Sequence, residues 1–297
     1  MAISPKLVQE LREKTGAGMM DCKRALEEGG GDLEEAIKVL RKKGIATAEK
    51  KSVRAASDGL VAATISEDAS AGVLIEVNCE TDFVAKTDDF KSLVDRTGRL
   101  ILASAPADEA ALMVLPSPED AAQTVKDMVV AKIAKLGENI QIRRFVRYQG
   151  QAAMISSYIH AGGKIGILLE ASCESADVAG KAETKELLKD LCMQVAASAP
   201  RFVSREEVTQ EVLASEREIY RDQVLAQGKP ANIVDKIVDG KMNKFFEENC
   251  LLEQPFIKDT GVKVQDHMGA VTGQALQVKR FTRFVLGEGL KSSSCGE

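Results

Sequence analysis

Apolar positions fall at helical spacing near the N-terminus and at strand spacing further on. Leu7, Val8 and Leu11 share one helical face, with Ser4 placed to cap the helix. Pro5 sits at the first helical position, where its missing N–H costs nothing. Gly16 or Gly18 ends this helix, and a second runs through MDCKRAL at 20–26 to the three glycines at 29–31. Asp32 caps a third, with Glu35 three residues on as a capping box and a face of Leu33, Ala36 or Ile37, and Leu40. Lys42, Lys43 and Gly44 form a C-terminal signal for it. Three helices in about 45 residues have a thin core, and modules of that size are usually docking devices.

Beyond the module the pattern repeats. GVLIEVNCETDFVAKTDDFKSLVDRTGRLILASAP at 72–106 aligns without gaps on GILLEASCESADVAGKAETKELLKDLCMQVAASAP at 166–200, at a constant offset of 94. LVAATIS (60–66) and MISSYIH (154–160) keep that offset, so each copy reads as strand, turn, strand and helix. A third strand recurs as QIRRFVRY (141–148) and QVKRFTRF (277–284), now 136 apart. The added residues hold two helical stretches, 204–227 and 231–249, around Gly228, Lys229 and Pro230. Val208, Val212, Ile219 and Val224 can face Ile233, Ile237, Met242 and Phe245, which predicts an antiparallel hairpin inserted into the second copy. It either projects as a partner-binding arm or packs back on the body.

Duplication is an internal control, because residues that only build the fold stay similar in both copies. The strands remain apolar, but after the second strand Thr81, Asp82, Phe83 and Val84 face Ser175, Ala176, Asp177 and Val178. The fold therefore does not demand Phe83. Two readings stand: a contact residue on a polar connection, or a local gap-filler with Asp82 capping the next helix. At the GAGMM corner (16–20), Met19 and Met20 suit an adaptable contact surface, while composition alone favours their filling the small core. Seven Lys or Arg between 38 and 54 read as a flexible basic linker, with RNA contact as the sharper alternative.

Composition narrows the classes. With 297 residues, 44% apolar and 29% charged, the chain suits a soluble protein of about two domains. A net charge of −5 argues against bulk nucleic-acid binding. No signal peptide or spanning run is visible, so a cytoplasmic location without membrane contact is expected. Six scattered cysteines without a Cys-x-x-Cys pair, and two histidines, read as reduced structural thiols. Phosphate-loop, dinucleotide, nucleophile-elbow and HExxH motifs are absent. His160 closes SSYIH before a glycine turn, as a rim residue, and no cofactor or metal is expected.

LREKTGAGMMDCKRALEEGGGDLEEAIKVLRKKG, VNCETDFVAKTDDF, KLGENIQIRR, SYIHAGGKIGILLE and VAASAP together resemble the elongation factor Ts family, in order and over nearly the whole chain. The resemblance implies an α+β fold. A three-helix, ubiquitin-associated-like module with its linker would occupy 1–54, and antiparallel-sheet core repeats 55–149 and 150–287. A coiled-coil hairpin would lie at about 204–249, and a tail at 288–297 where some members have a further helix. It implies a guanine nucleotide exchange factor without covalent chemistry, with the GTPase elongation factor Tu as partner and no direct nucleic-acid contact. Thr81, Asp82, Phe83 and Val84 would be the exchange motif. Met19, Met20, Lys23, Leu136 and His160 would be further contacts. In that picture Phe83 wedges beside the partner's Mg²⁺ and phosphate loop and loosens GDP. An RNA-binding accessory factor is the alternative class, marked by steep salt dependence. A metabolic enzyme is third, its sign an ordered apolar pocket with shifted acids.

Overall fold

The structure, a computed structural model, describes residues 3–290; 291–297, the end of the expected tail, lie outside the described residues. The N-terminal module comprises α1 (Pro5–Thr15), α2 (Met19–Glu28) and α3 (Leu33–Lys51). Ser4 and Asp32 accept the capping N–H bonds expected of them, and Gly16 closes α1 in the left-handed conformation. Glu35 donates its N–H to Asp32, but its carboxylate is drawn to Lys38 instead of completing a capping box. Leu11, Cys22, Ala25, Leu26 and Ala36 form the small core.

The third helix does not stop at Gly44. It runs to Lys51 with Gly44 buried inside it, where an added Cβ would meet Val130 and Ala134 at 3.4 and 3.8 Å. The expected flexible basic linker is thus largely helix. Its charges are used internally: Arg41 pairs with Asp127 at 2.8 Å, and Lys51 donates to the Gly137 carbonyl.

The first repeat contains β1 (Asp58–Ile65), β2 (Ala71–Cys79), α4 (Asp82–Ala85), α5 (Asp88–Ser104), α6 (Glu109–Met113), α7 (Val125–Leu136) and β3 (Gln141–Gln149). The second contains β4 (Ala153–His160), β5 (Ile165–Cys173), α8 (Ala176–Gly180) and α9 (Ala182–Ser198). It continues through the arm helices α10 (Gln210–Ala226) and α11 (Ala231–Asn249), a small hairpin β6 (Pro255–Phe256) and β7 (Asp259–Lys263), α12 (Val264–Thr272) and β8 (Leu276–Val285). The two antiparallel sheets are β1-β2-β3 and β4-β5-β8, each with a register shift after its middle-strand glutamate, Glu76 or Glu170.

These sheets stack face to face around Val61, Leu74, Tyr148, Ile155, Leu168 and Phe284. Helices cover both outer faces, giving four layers and leaving all nine residues of β2 buried. Gly72 and Gly166, equivalent in the two copies, allow the close approach. A Cβ on either would lie 2.6 Å from Ile155 or 2.4 Å from Val61.

The sheets also exchange reciprocal contacts. Val61 donates to the Gly163 carbonyl, and its counterpart Ile155 donates to Ala69, the counterpart of Gly163, both at 2.8 Å. Arg144 binds Glu76 of its own sheet and stacks 4.2 Å from the Phe284 ring of the other. Arg280 binds Glu170 and stacks 4.0 Å from Tyr148. Each copy's arginine thus stacks on the aromatic of the other copy.

The inserted arm is an antiparallel hairpin whose core, including Val224, Val234, Val238, Met242 and Phe245, is its own. Two expected contacts are corrected: Ile219 and Ile233 are exposed, and Val234 and Val238 fill the seam instead. The buried stripe on α11 therefore begins one residue later than expected. No helix among the described residues is long and apolar enough to cross a membrane. Cys22, Cys79, Cys173, Cys192 and Cys250 are free thiols.

Candidate functional site

The strand-to-helix connection after β2 folds as a single tight turn. Thr81 adopts extended backbone and caps α4, its hydroxyl accepting the Val84 N–H. Thr87 caps α5 in the same way, so Asp82 caps neither helix. Asp82 accepts a hydrogen bond from Lys86 at 2.6 Å, which holds its carboxyl below the ordinary value, with the Lys164 charge adding to the effect. Val84 turns inward against the first core.

Phe83 points into water, 78% exposed. Among the nine Phe and three Tyr, all of them described, no other ring is exposed. Leaving a Phe outside forgoes roughly 1.5–3 kcal/mol of burial. The exposed ring excludes the gap-filler reading of Phe83.

A partner that sequence reasoning missed holds the turn from below. Glu138, in the loop between α7 and β3, accepts N–H bonds from Glu80 and Thr81 at 3.1 and 3.0 Å, and the Thr81 hydroxyl at 2.6 Å. Glu80 answers by accepting the Asn139 N–H at 2.7 Å. The Cys79 thiol donates to the Thr81 carbonyl at 3.1 Å. Burial first, then the Glu138 charge, pushes that thiol up to about 12, so it remains a protonated donor. The signal available in sequence was the KLGEN segment itself, but nothing in its spacing pairs 138 with 81.

The other candidates extend from this turn in both directions. At one side, Lys164 pairs with Asp58 at 2.6 Å at the foot of β1, and its charge reaches Asp82. His160, on the same glycine turn as Lys164, is exposed, its Nδ1 3.0 Å from the Tyr158 hydroxyl. At the other side Leu136 precedes the Glu138 loop, half-buried against the first core. Next to it, Lys135 packs on Gly16, an added Cβ there lying 3.5 Å from its side chain. Gly16 opens the corner that carries Met19 and Met20, 48% and 61% exposed. They do not fill the module's core, against the expectation from composition. Lys23, one turn further along α2, is exposed and 3.9 Å from Glu27. Two surface hollows among the described residues, of about 460 and 320 Å³, are lined largely by charged side chains; the first lies away from these candidates, and the second runs beside α2, past Asp21 and Arg24.

An aromatic held in water on a pinned turn, with exposed methionines further along, has the chemistry of a protein-docking surface. Comparison with known proteins makes the class specific. A family model described as Elongation factor TS matches residues 80–288. Elongation factor Ts of Trichlorobacter lovleyi is 49% identical over 294 residues, 98% of this chain and 94% of that protein. Those of Clostridium botulinum and Clostridium perfringens are 47% and 44% identical over 292 residues, covering 97% of this chain and 94% of each relative. The chain belongs to the elongation factor Ts family, a family of nucleotide exchange factors in translation elongation.

Proposed function

We propose that this chain, acting in the cytoplasm, binds elongation factor Tu carrying GDP and expels Mg²⁺ and GDP through the turn at 81–84. The observation that carries this reading is Phe83, exposed on a turn pinned by its neighbours, where the second copy of the same fold has Asp177. A Phe that moves from water into a cleft of the partner supplies roughly 1.5–3 kcal/mol, the size of an interface hot spot. Spent against the partner's Mg²⁺ and phosphate contacts, each ~1.4 kcal/mol loosens GDP tenfold. Linkage makes the effect reciprocal: GDP release tightens the complex, and incoming GTP dissociates it. Turnover thus follows without any covalent step, and Met19, Met20, Lys23, Leu136 and His160 add affinity around the wedge.

The test is release of a fluorescent GDP analogue from elongation factor Tu at substoichiometric amounts of this chain. Acceleration with turnover is expected. Phe83→Ala is expected to lower kcat/KM roughly thirtyfold, the equivalent of about 2 kcal/mol. A Phe83→Ala chain as fast as the parent would sink the wedge.

A further inference from the structure

We infer that Glu138 is the positioning residue of the exchange turn, a role that rests on the reading of 81–84 as that turn. All three hydrogen bonds Glu138 makes go to Glu80 and Thr81, two of them to backbone N–H groups. With the Glu80 carboxylate on the Asn139 N–H, the two segments clasp each other through two carboxylates and three main-chain donors. Arg54 closes the base, 3.6 Å from Glu80 and with its carbonyl accepting from the Asn139 side chain at 2.8 Å.

The second copy shows what the fold alone requires. At the offset of 136 that relates β3 to β8, Glu138 corresponds to Gln274 and Gly137 to Gly273. Both glycines close their helices in the left-handed conformation, with φ of 80° and 60°. The loop begins alike, yet in the second copy the strand-to-helix turn is held by one backbone bond, Glu174 N–H to the Ala275 carbonyl at 3.0 Å. A main-chain carbonyl suffices to build this connection. The carboxylate is present only where the turn carries an exposed aromatic.

A charged acceptor shared by adjacent N–H groups is a stronger tether than a neutral one. It fixes the direction of the α4 turn, and so of Phe83, before a partner arrives, which removes that ordering cost from binding. Glu138 touches neither the partner's nucleotide nor its metal in this role; it acts through Thr81 and Phe83.

The experiment is a double-substitution cycle in the fluorescent GDP release assay with elongation factor Tu, using full-length Glu138→Gln, Phe83→Ala and the combination. Gln keeps the size and withdraws the charge. Glu138→Gln is expected to lower kcat/KM about tenfold, to leave the thermal midpoint within about 3 °C of the parent, and to have no further effect once Phe83 is Ala. Thr81→Val, which deletes the hydroxyl that donates to Glu138 and accepts the Val84 N–H, provides a second probe. It is expected to lower kcat/KM about threefold, again only when Phe83 is present. A Glu138→Gln chain with parental exchange overturns the inference, as does a loss that persists undiminished in the Phe83→Ala background. Parental exchange by Phe83→Ala itself would instead overturn the reading of the turn.

Discussion

The two repeats share strands, register shifts, the hydroxyl cap of the short helix (Thr81 and Ser175) and an αL residue at the end of the long helix, Ala105 in one and Ala199 in the other. They part company at the turn after the middle strand. In the first, Thr81 is held by Glu138 and presents Phe83; in the second, Ser175 and Asp177 occupy a turn tied by the Ala275 carbonyl. The second copy instead took an insertion, the arm at α10 and α11. One duplicated scaffold thus acquired a pinned turn with an exposed aromatic on one half and an inserted helical hairpin on the other. Conserved features between halves report what holds the molecule together, and divergent ones report where it meets something else.

The shared glutamates can break or sharpen that division. Glu76 is fully buried and accepts from Arg143, Arg144 and the Gly287 N–H at 2.6–2.8 Å. Burial opposes its charge, but Gly287, Arg143 and Arg144 outweigh it and hold the carboxyl below its usual value. Glu170 keeps one such partner, Arg280. Glu76→Gln is therefore expected to cost about 3 kcal/mol in urea unfolding, and Glu170→Gln about 1 kcal/mol, both with little change in the wedge. Because the folded Glu76 titrates below its unfolded value, its contribution is present above about pH 4.3 and fades as pH falls through the lowered value. The gap between Glu76→Gln and the parent is expected to close on acidification, and a gap constant with pH would remove the charge from the explanation.

Smaller effects test the contact side. Met20→Glu puts a charge on the exposed corner and is expected to weaken the complex about tenfold, measured by titration calorimetry with elongation factor Tu, at an unchanged thermal midpoint. Asp177→Ala alters the second copy's turn, and exchange is expected to stay within about 1.5-fold of the parent. A larger loss would mean that both turns meet the partner and the division between halves is false.

Much of this architecture was legible because it was written twice. The offsets of 94 and 136 located both sheets, both long helices and the insertion, and Phe83 stood out against Asp177. What escaped was set by contacts between distant segments. Lys42, Lys43 and Gly44 resemble a helix end, but Gly44 lies buried inside α3, facing Val130 and Ala134 of α7. Ile219 and Ile233 fit an apolar stripe, yet both are exposed, and on α11 the seam is filled by Val234 and Val238. Glu138 lies 57 residues from Thr81, so local patterning could not pair them.

The most direct measurement replaces Thr81, Asp82 and Phe83 with the Ser, Ala and Asp of the second copy, giving T81S/D82A/F83D, and follows both binding to elongation factor Tu and GDP release. Retained folding and binding with acceleration lost is the expected result, since the remaining contacts supply affinity and the first copy's turn supplies the wedge. Acceleration at the parental rate from a chain bearing the second copy's turn would contradict the assignment of exchange to Phe83 and its neighbours.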